Sequence, residues 1–286
     1  MNNVQGILFL TAAMLLFAIE DTLIKLLTGT FAQWQIIAML GIGGAAVFGV
    51  FANVKGRLQI SELLSSPVLM ARSLAEAAAA GAYVISLSKV DLSVTAAVFQ
   101  ATPLAITFGA AVFLKESVGW RRWSAIIIGF AGVLIIIRPG FDGFQPAALW
   151  SLVAVAAVAA RDLLTRFIPA STQSTAVAFY AFLTLAIIGI PLTLLTSEFR
   201  PLTGNSIYLV PFAVLFGTAG YYAIVNAMRA GDVSAIMPFR YTRLIFSIIL
   251  GMIVFSESLD VFTIVGASII IATGLFTFWR ENRLRR

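Results

Sequence analysis

Runs of about twenty predominantly apolar residues follow one another along the whole chain, and each is long enough to cross a hydrocarbon core of ~30 Å as a helix. Inside lipid, a backbone whose polar groups are not bonded within the protein is too costly to exist. Such runs therefore fold as a bundle of helices and not as exposed strands or irregular loops. Ten spans are expected, at roughly 4–28, 31–53, 66–88, 92–114, 120–138, 146–167, 174–197, 207–229, 232–254 and 260–280. Composition removes the soluble alternative. The chain is 60% hydrophobic and 11% charged with mean hydropathy +0.98, against about 45–50% and 25% in an ordinary soluble domain. The first run lacks a basic leader and a small-residue cleavage site, so it is expected to be retained as a helix. Connections are short, except 54–65, 139–145 and 198–206, and leave no room for an extramembrane domain.

The chemistry open to such a bundle is narrow. There is no cysteine and no histidine, which excludes disulfides, thiol nucleophiles, Cys/His metal sites and imidazole relays within the chain. No Walker-type phosphate loop occurs, so ATP hydrolysis is not expected, nor any other enzymatic activity or cofactor. The net charge of +6 reads as a topology signal and not as a nucleic-acid footprint. With both termini in the cytoplasm, the inner ends hold Lys55, Arg57, Lys115, Arg121, Arg122, Arg166, Arg229, Arg280, Arg283, Arg285 and Arg286; the outer ends hold Lys25, Lys89, Arg138 and Arg200. That excess of inner bases is the orientation expected in a cytoplasmic (inner) membrane.

An internal repeat narrows the architecture further. Shifted by 141 positions, Asp21 falls on Asp162, Lys25 on Arg166, Asp91 on Asp232, Ser93 on Ser234, Glu116 on Glu257 and Ser117 on Ser258. Five spans separate the copies, an odd number, so the second half, 142–286, should cross the membrane in the opposite sense to the first, 1–141. The expected fold is an all-α polytopic membrane protein whose ten transmembrane helices form two five-helix inverted-topology repeats. Secondary transporters place a midplane site between such halves. Glu257 and Asp260 have no Lys or Arg near them in sequence, unlike Glu116 with Lys115, Arg121 and Arg122.

With these features the chain resembles the drug/metabolite transporter superfamily, and within it the EamA-type ten-helix carriers. The resemblance rests on AAMLLFAIEDTLIKLL (12–27), on LSVTAAVFQATPLAITFGAAVFLKESVGWRRWSAIIIGFAGVLII (92–136), and on its second copy VSAIMPFRYTRLIFSIILGMIVFSESLDVFTIVGASIIIATG (233–274). It implies that helices one to four of each half line a central cavity while the fifth lies peripherally. Relatives export amino acids and other metabolites or take up vitamins and nucleoside-like compounds, so direction and substrate stay open.

Candidate site residues are the charges placed inside spans, where a lone charge costs at least roughly 2.5–3.5 kcal/mol. Arg240 and Arg243 lie in the ninth span one turn apart, after Pro238, which cannot donate to the carbonyl of Ser234 and opens the helix there. They suit a substrate carboxylate or phosphate, with Tyr241 beside them; the alternative is an ion pair or carbonyl cap within the bundle. Arg72 and Glu76 are spaced i,i+4 and suit an intrahelical pair; alternatively Glu76 is a coupling acid that neutralises an arginine of the ninth span in one conformational state and exchanges it for substrate or proton in another. The pairs Asp21–Lys25 and Asp162–Arg166, repeated at the same spacing, are expected to compensate themselves. Glu20, whose repeat mate is Arg161, is a candidate gate or coupling acid. Among aromatic residues Tyr221, Tyr222 and Trp34 are candidates for substrate contact, as is the polar Gln100 near Pro103; packing is the ordinary role of each. Stripes of glycine and alanine, such as Gly41, Gly43, Gly44 and Gly129 with Gly132, are expected to be close-packing surfaces.

The expected function is secondary active transport of a small organic metabolite with an anionic or zwitterionic group, by alternating access, with possible proton coupling. Amino-acid export is the first expectation. The alternatives are uptake of a riboflavin-like or S-adenosylmethionine-like compound, and export of a cationic drug. Membrane lipid is the expected surrounding, nucleic acid is not a partner, and the assembly is a monomer or homodimer.

Overall fold

A computed structural model describes residues 2–54, 60–116, 118–141, 144–169, 172–196, 199–230 and 236–285. Lys55, Arg57, Ser117, Asp232, Ser234 and Arg286 lie outside the described residues, as do the side chains of Arg229, Arg280, Arg283 and Arg285. Among the described residues ten helical spans are long and apolar enough to cross a membrane. They are span one (Asn3–Thr28), two (Gln33–Val54), three (Pro67–Lys89), four (Leu92–Phe113) and five (Trp120–Ile137); then six (Pro146–Thr165), seven (Ser174–Leu195), eight (Ser206–Ala230), nine (Met237–Phe255) and ten (Val261–Arg285). The expected boundaries hold to within a few residues, apart from span nine, whose expected first residues fall in the undescribed segment, and span ten, which runs on past 280. One element was not expected: the short helix Ile60–Ser65, which precedes span three inside what reads as a loop.

Local chemistry sets several ends. Asn2 caps span one by accepting from the Gln5 amide at 3.2 Å. Ser66 caps span three by accepting from the Leu69 amide, with Pro67 at the first helical position, where its missing N–H is not needed. Large apolar side chains such as Ile127, Leu195 and Ile253 point outward, an arrangement tolerated in lipid and not in water.

The most extensive packing joins span one to eight, two to seven, three to six and five to ten; span one also packs on nine, and four on six. Exchanging the two halves of the chain leaves this set of pairs unchanged. Small residues permit the closest approaches. A Cβ on Gly41 would lie 2.4 Å from the Ala186 nitrogen, and one on Gly189 would lie 2.6 Å from that of Ala38, so spans two and seven meet backbone to backbone. Spans five and ten meet in the same way at Gly132 and Gly266. They pack chiefly on each other, at the edge of the bundle.

Candidate functional site

Two spans are interrupted beside the intramembrane charges. Span four is helical over Leu92–Phe99 and again over Thr102–Phe113. Pro103 cannot donate to the Phe99 carbonyl, and the Thr102 hydroxyl takes that acceptor at 2.6 Å. Span nine opens as a 3-10 turn, Met237–Tyr241, with Pro238 in its first turn, and becomes α-helical from Thr242, whose hydroxyl donates to the Phe239 carbonyl at 2.6 Å. Polar backbone is thereby exposed only where protein supplies the partner.

Arg243 is held, not free. Its Nη2 donates to both carboxylate oxygens of Asp21 at 2.8 Å and its Nε to Oδ2 at 3.1 Å. The rings of Phe17, Phe99 and Tyr83 stand 5.3, 5.3 and 5.8 Å from the guanidinium carbon. The Asp21 side chain is 2% exposed and that of Arg243 17%. In this conformation Glu76 does not neutralise an arginine of span nine. Span one packs on span nine and supplies Asp21, whereas span three, which carries Glu76, packs on span six.

Glu76 instead holds two bases. Its Oε2 meets Arg72 at 3.0 Å, the i,i+4 pair expected from spacing, and its Oε1 accepts from Arg161 Nη1 at 2.8 Å. Arg161 also donates from Nε to Asp162 at 2.8 Å. Arg72 Nε and Nη1 are buried without hydrogen-bond partners among the described residues. Arg240 has no carboxylate partner among the described residues; the contact its Nη1 makes is with Met237 Sδ at 4.0 Å. The nearby charges that bear on it are Asp162, Arg161 and Arg243. Set against Glu76 and Asp162, the arginines 72, 161 and 240 leave one positive charge uncompensated.

Glu20 is the opposite case. It is half-buried and makes no hydrogen bond or ion pair among the described residues. Its carboxylate lies against span eight at Gly217, where a Cβ would stand 2.2 Å from Oε1. The charges that act on it are Asp21 and Arg243.

The other candidates scatter. Tyr221 lies near Arg72, Glu76 and Arg161 and packs edge-on against Phe48 at 5.1 Å, its hydroxyl 3.4 Å from the Ser174 carbonyl oxygen. Tyr222, 69% exposed, shares an outward stripe of span eight with Tyr208, Phe212 and Leu215, so it faces away from the charges. Tyr241 directs its hydroxyl at Gly274 of span ten, where a Cβ would be 1.7 Å away. Trp34 packs on Gly81 and Gly189, between spans two, three and seven, and Gln100 is buried at the break in span four. Sequence reasoning missed Asp21 as the partner of Arg243, and missed Gly217 altogether.

The self-compensated pairs Asp21–Lys25 and Asp162–Arg166 do not form. Lys25 reaches Glu257 at 3.4 Å and the Val90 carbonyl at 2.5 Å, while Arg166 meets Glu116 at 2.5 Å. These two contacts are repeat mates, since the same shift carries Lys25 to Arg166 and Glu116 to Glu257. Glu257 also accepts from the Leu92 and Ser93 amides at 2.6 and 3.0 Å and from the Ser93 hydroxyl at 2.8 Å, capping span four at the positive end of its dipole. Asp260, likewise without a base nearby in sequence, meets Arg138 at the end of the adjacent span five. The two ends differ in exposure. Lys25 and Glu257 side chains are 15% and 4% exposed, those of Arg166 and Glu116 48% and 49%.

The EamA-like transporter family matches the chain twice, over residues 4–138 and 145–279. The chain belongs to the EamA-like transporter family. Its ten long apolar spans make it a multi-pass membrane protein. The second match begins 141 residues after the first, the offset read from the charges. The S-adenosylmethionine uptake transporter of Rickettsia conorii is 30% identical over 184 residues, covering 63% of this chain and 61% of the relative. The riboflavin transporter of Rhizobium johnstonii is 28% identical over 205 residues, covering 72% and 68%, and that of Vibrio cholerae 29% identical over 192 residues, covering 66% and 64%. The chain thus spans about 61% of the length of the first of these curated relatives. A protein crystal structure with a TM-score of 0.65 and 19% identity covers 98% of this chain and 99% of its own, and has the same overall fold.

Proposed function

We propose that the protein takes up a small metabolite bearing a carboxylate and a cationic centre, of the S-adenosylmethionine type, by alternating access across the cytoplasmic membrane with its termini inside. Residues 1–141 and 142–286 act in this reading as inverted repeats. The doubled family match and the mated pairs Lys25–Glu257 and Arg166–Glu116 support it.

The observation that carries the substrate class is Arg240. Arg243 is taken by Asp21, and Arg72 and Arg161 by Glu76, whereas the Arg240 guanidinium stands inside a span with no carboxylate partner among the described residues. An intramembrane charge kept without a partner is a site for a ligand of opposite sign, and a guanidinium fits a carboxylate in bidentate fashion. S-adenosylmethionine has an amino-acid end that supplies it. Riboflavin has none, so Arg240 favours the first over the second although relatives are named for both. Those names also favour uptake over amino-acid export.

Uptake of labelled S-adenosylmethionine into proteoliposomes tests this directly. Arg240→Ala should lower uptake about ten- to a hundredfold, the worth of a charge-assisted contact, with unlabelled riboflavin competing poorly. Undiminished uptake by a folded Arg240→Ala protein, or stronger competition by riboflavin than by S-adenosylmethionine itself, would overturn the assignment.

A further inference from the structure

The shift of 141 that relates the halves carries Glu20 to Arg161 and Glu76 to Gly217. At one of these equivalent places an ion pair closes: Arg161 of span six meets Glu76 of span three at 2.8 Å. At the other, Glu20 of span one comes up against span eight, and the position that would supply its partner is Gly217. Here an acid stands at the place of the base, and the position that would face it, the mate of Glu76, carries only a hydrogen atom. We infer that Glu20 is the open half of an ion pair whose other half is brought by the ligand, and that it holds the cationic centre of the transported compound. This rests on the substrate class proposed above.

The surroundings fit a cation that is recognised by charge. Span eight offers Glu20 no side chain at Gly217, and its helical amides are engaged within the helix, so the carboxylate receives no hydrogen bond there. Asp21, the neighbouring acid, is held in the bidentate contact with Arg243 and is not available as a second ligand. Phe17, one turn before Glu20, lies against Gly220, one turn after Gly217, where a Cβ would meet its ring at 2.9 Å. Glu20 and Phe17 therefore present a carboxylate and an aromatic ring side by side on the face of span one toward span eight. A sulfonium donates no hydrogen bond and is bound by opposite charge and by aromatic faces, which is what this pair provides. Arg243 acts on both Glu20 and Arg240, so the cation and carboxylate sites flank one fixed positive charge.

The discriminating probes are S-adenosylmethionine and S-adenosylhomocysteine, which differ by one methyl and by the charge on sulfur. Binding of each to the purified full chain, read by ligand-induced thermal shift and by competition, should favour the sulfonium by about tenfold or more in wild type. Glu20→Gln should abolish that preference while leaving affinity for S-adenosylhomocysteine unchanged. Gly217→Ala provides a second reading without removing the charge: its methyl displaces the carboxylate and should weaken S-adenosylmethionine selectively. Equal binding of the two compounds by wild type, or a preference that survives in both variants, overturns the inference while the proposed substrate class stands. Binding of neither compound by wild type overturns the proposed function, and the role of Glu20 with it.

Discussion

Asp21 and Arg243 lie 222 positions apart and form a largely enclosed charge contact. Two charges withdrawn from water gain little net stability by meeting, because desolvation offsets most of their attraction, yet removing one strands the other. Asp21→Asn should accordingly destabilise the protein by about 3–5 kcal/mol, seen as a lowered detergent melting temperature, and Asp21→Asn with Arg243→Met should recover a large part of that loss. A melting temperature unchanged in the single variant would contradict the pairing. Arg240→Met should behave in the reverse manner, keeping stability and losing uptake, since no buried carboxylate is stranded by it. The sequence exposed these arginines as anomalies because any charge inside an apolar run is conspicuous. It did not reveal which acid each would meet, because i,i+4 spacing offered Lys25 to Asp21 and Arg166 to Asp162, and spacing along one helix is blind to a neighbour brought by another. A signal was present nonetheless. Lys25 with Arg166 and Glu116 with Glu257 repeat together, and a base and an acid that recur as a set are candidates for each other across spans.

Spans were legible for a physical reason: a run of apolar residues the length of the hydrocarbon core has one way to satisfy its backbone. The order in which they pack was less so, because small residues mark a close face without saying what comes close. Gly41 illustrates this, since only the fold shows that the Ala186 backbone occupies the place of its side chain. Gly41→Leu should push spans two and seven apart and abolish the monodisperse peak in size-exclusion chromatography. Gly119→Ala, where a Cβ would meet nothing within 4 Å, should leave that peak intact. The start of span ten depends on a different device. Asp260 accepts from the Thr263 amide at 2.6 Å and meets Arg138. Partial burial pushes its carboxyl up, but the Thr263 bonds and the Arg138 charge outweigh it and hold the group below the usual carboxylate range. A lowered folded value means that the unfolded chain binds the proton more readily, so this contribution is fully present above the ordinary value of 3.8 and fades as pH falls through the lower folded value. Asp260→Asn should therefore be less stable than wild type at pH 7, with the gap closing only in strong acid; a gap that opened between pH 7 and 5 would contradict this origin.

At the scale of the whole molecule the two mated contacts are unequal, and that inequality describes a conformation. Lys25 and Glu257 are almost enclosed and are joined to the first turn of span four by three further bonds, whereas Arg166 and Glu116 stand half in the open. On the proposed alternating-access reading, the Lys25 end is the closed one. Glu257 is the group that would hold it shut, because one carboxylate ties span nine to both span one and span four. Each bond to a charged acceptor is worth about 1.5–3 kcal/mol, so losing even one shifts a two-state equilibrium about tenfold or more toward opening. The chain has no cysteine of its own, so a single introduced thiol reports this cleanly. Val90 is suitable, being buried at that end and offering Lys25 only its backbone carbonyl. Val90→Cys should resist a membrane-impermeant maleimide in the otherwise native chain and react at least about tenfold faster once Glu257→Gln is added. The rate should rise only from the side of the membrane that the Lys25 end faces. Equal labelling rates in the two backgrounds would mean that Glu257 caps span four without controlling the passage, and that the closed end is held by apolar packing alone.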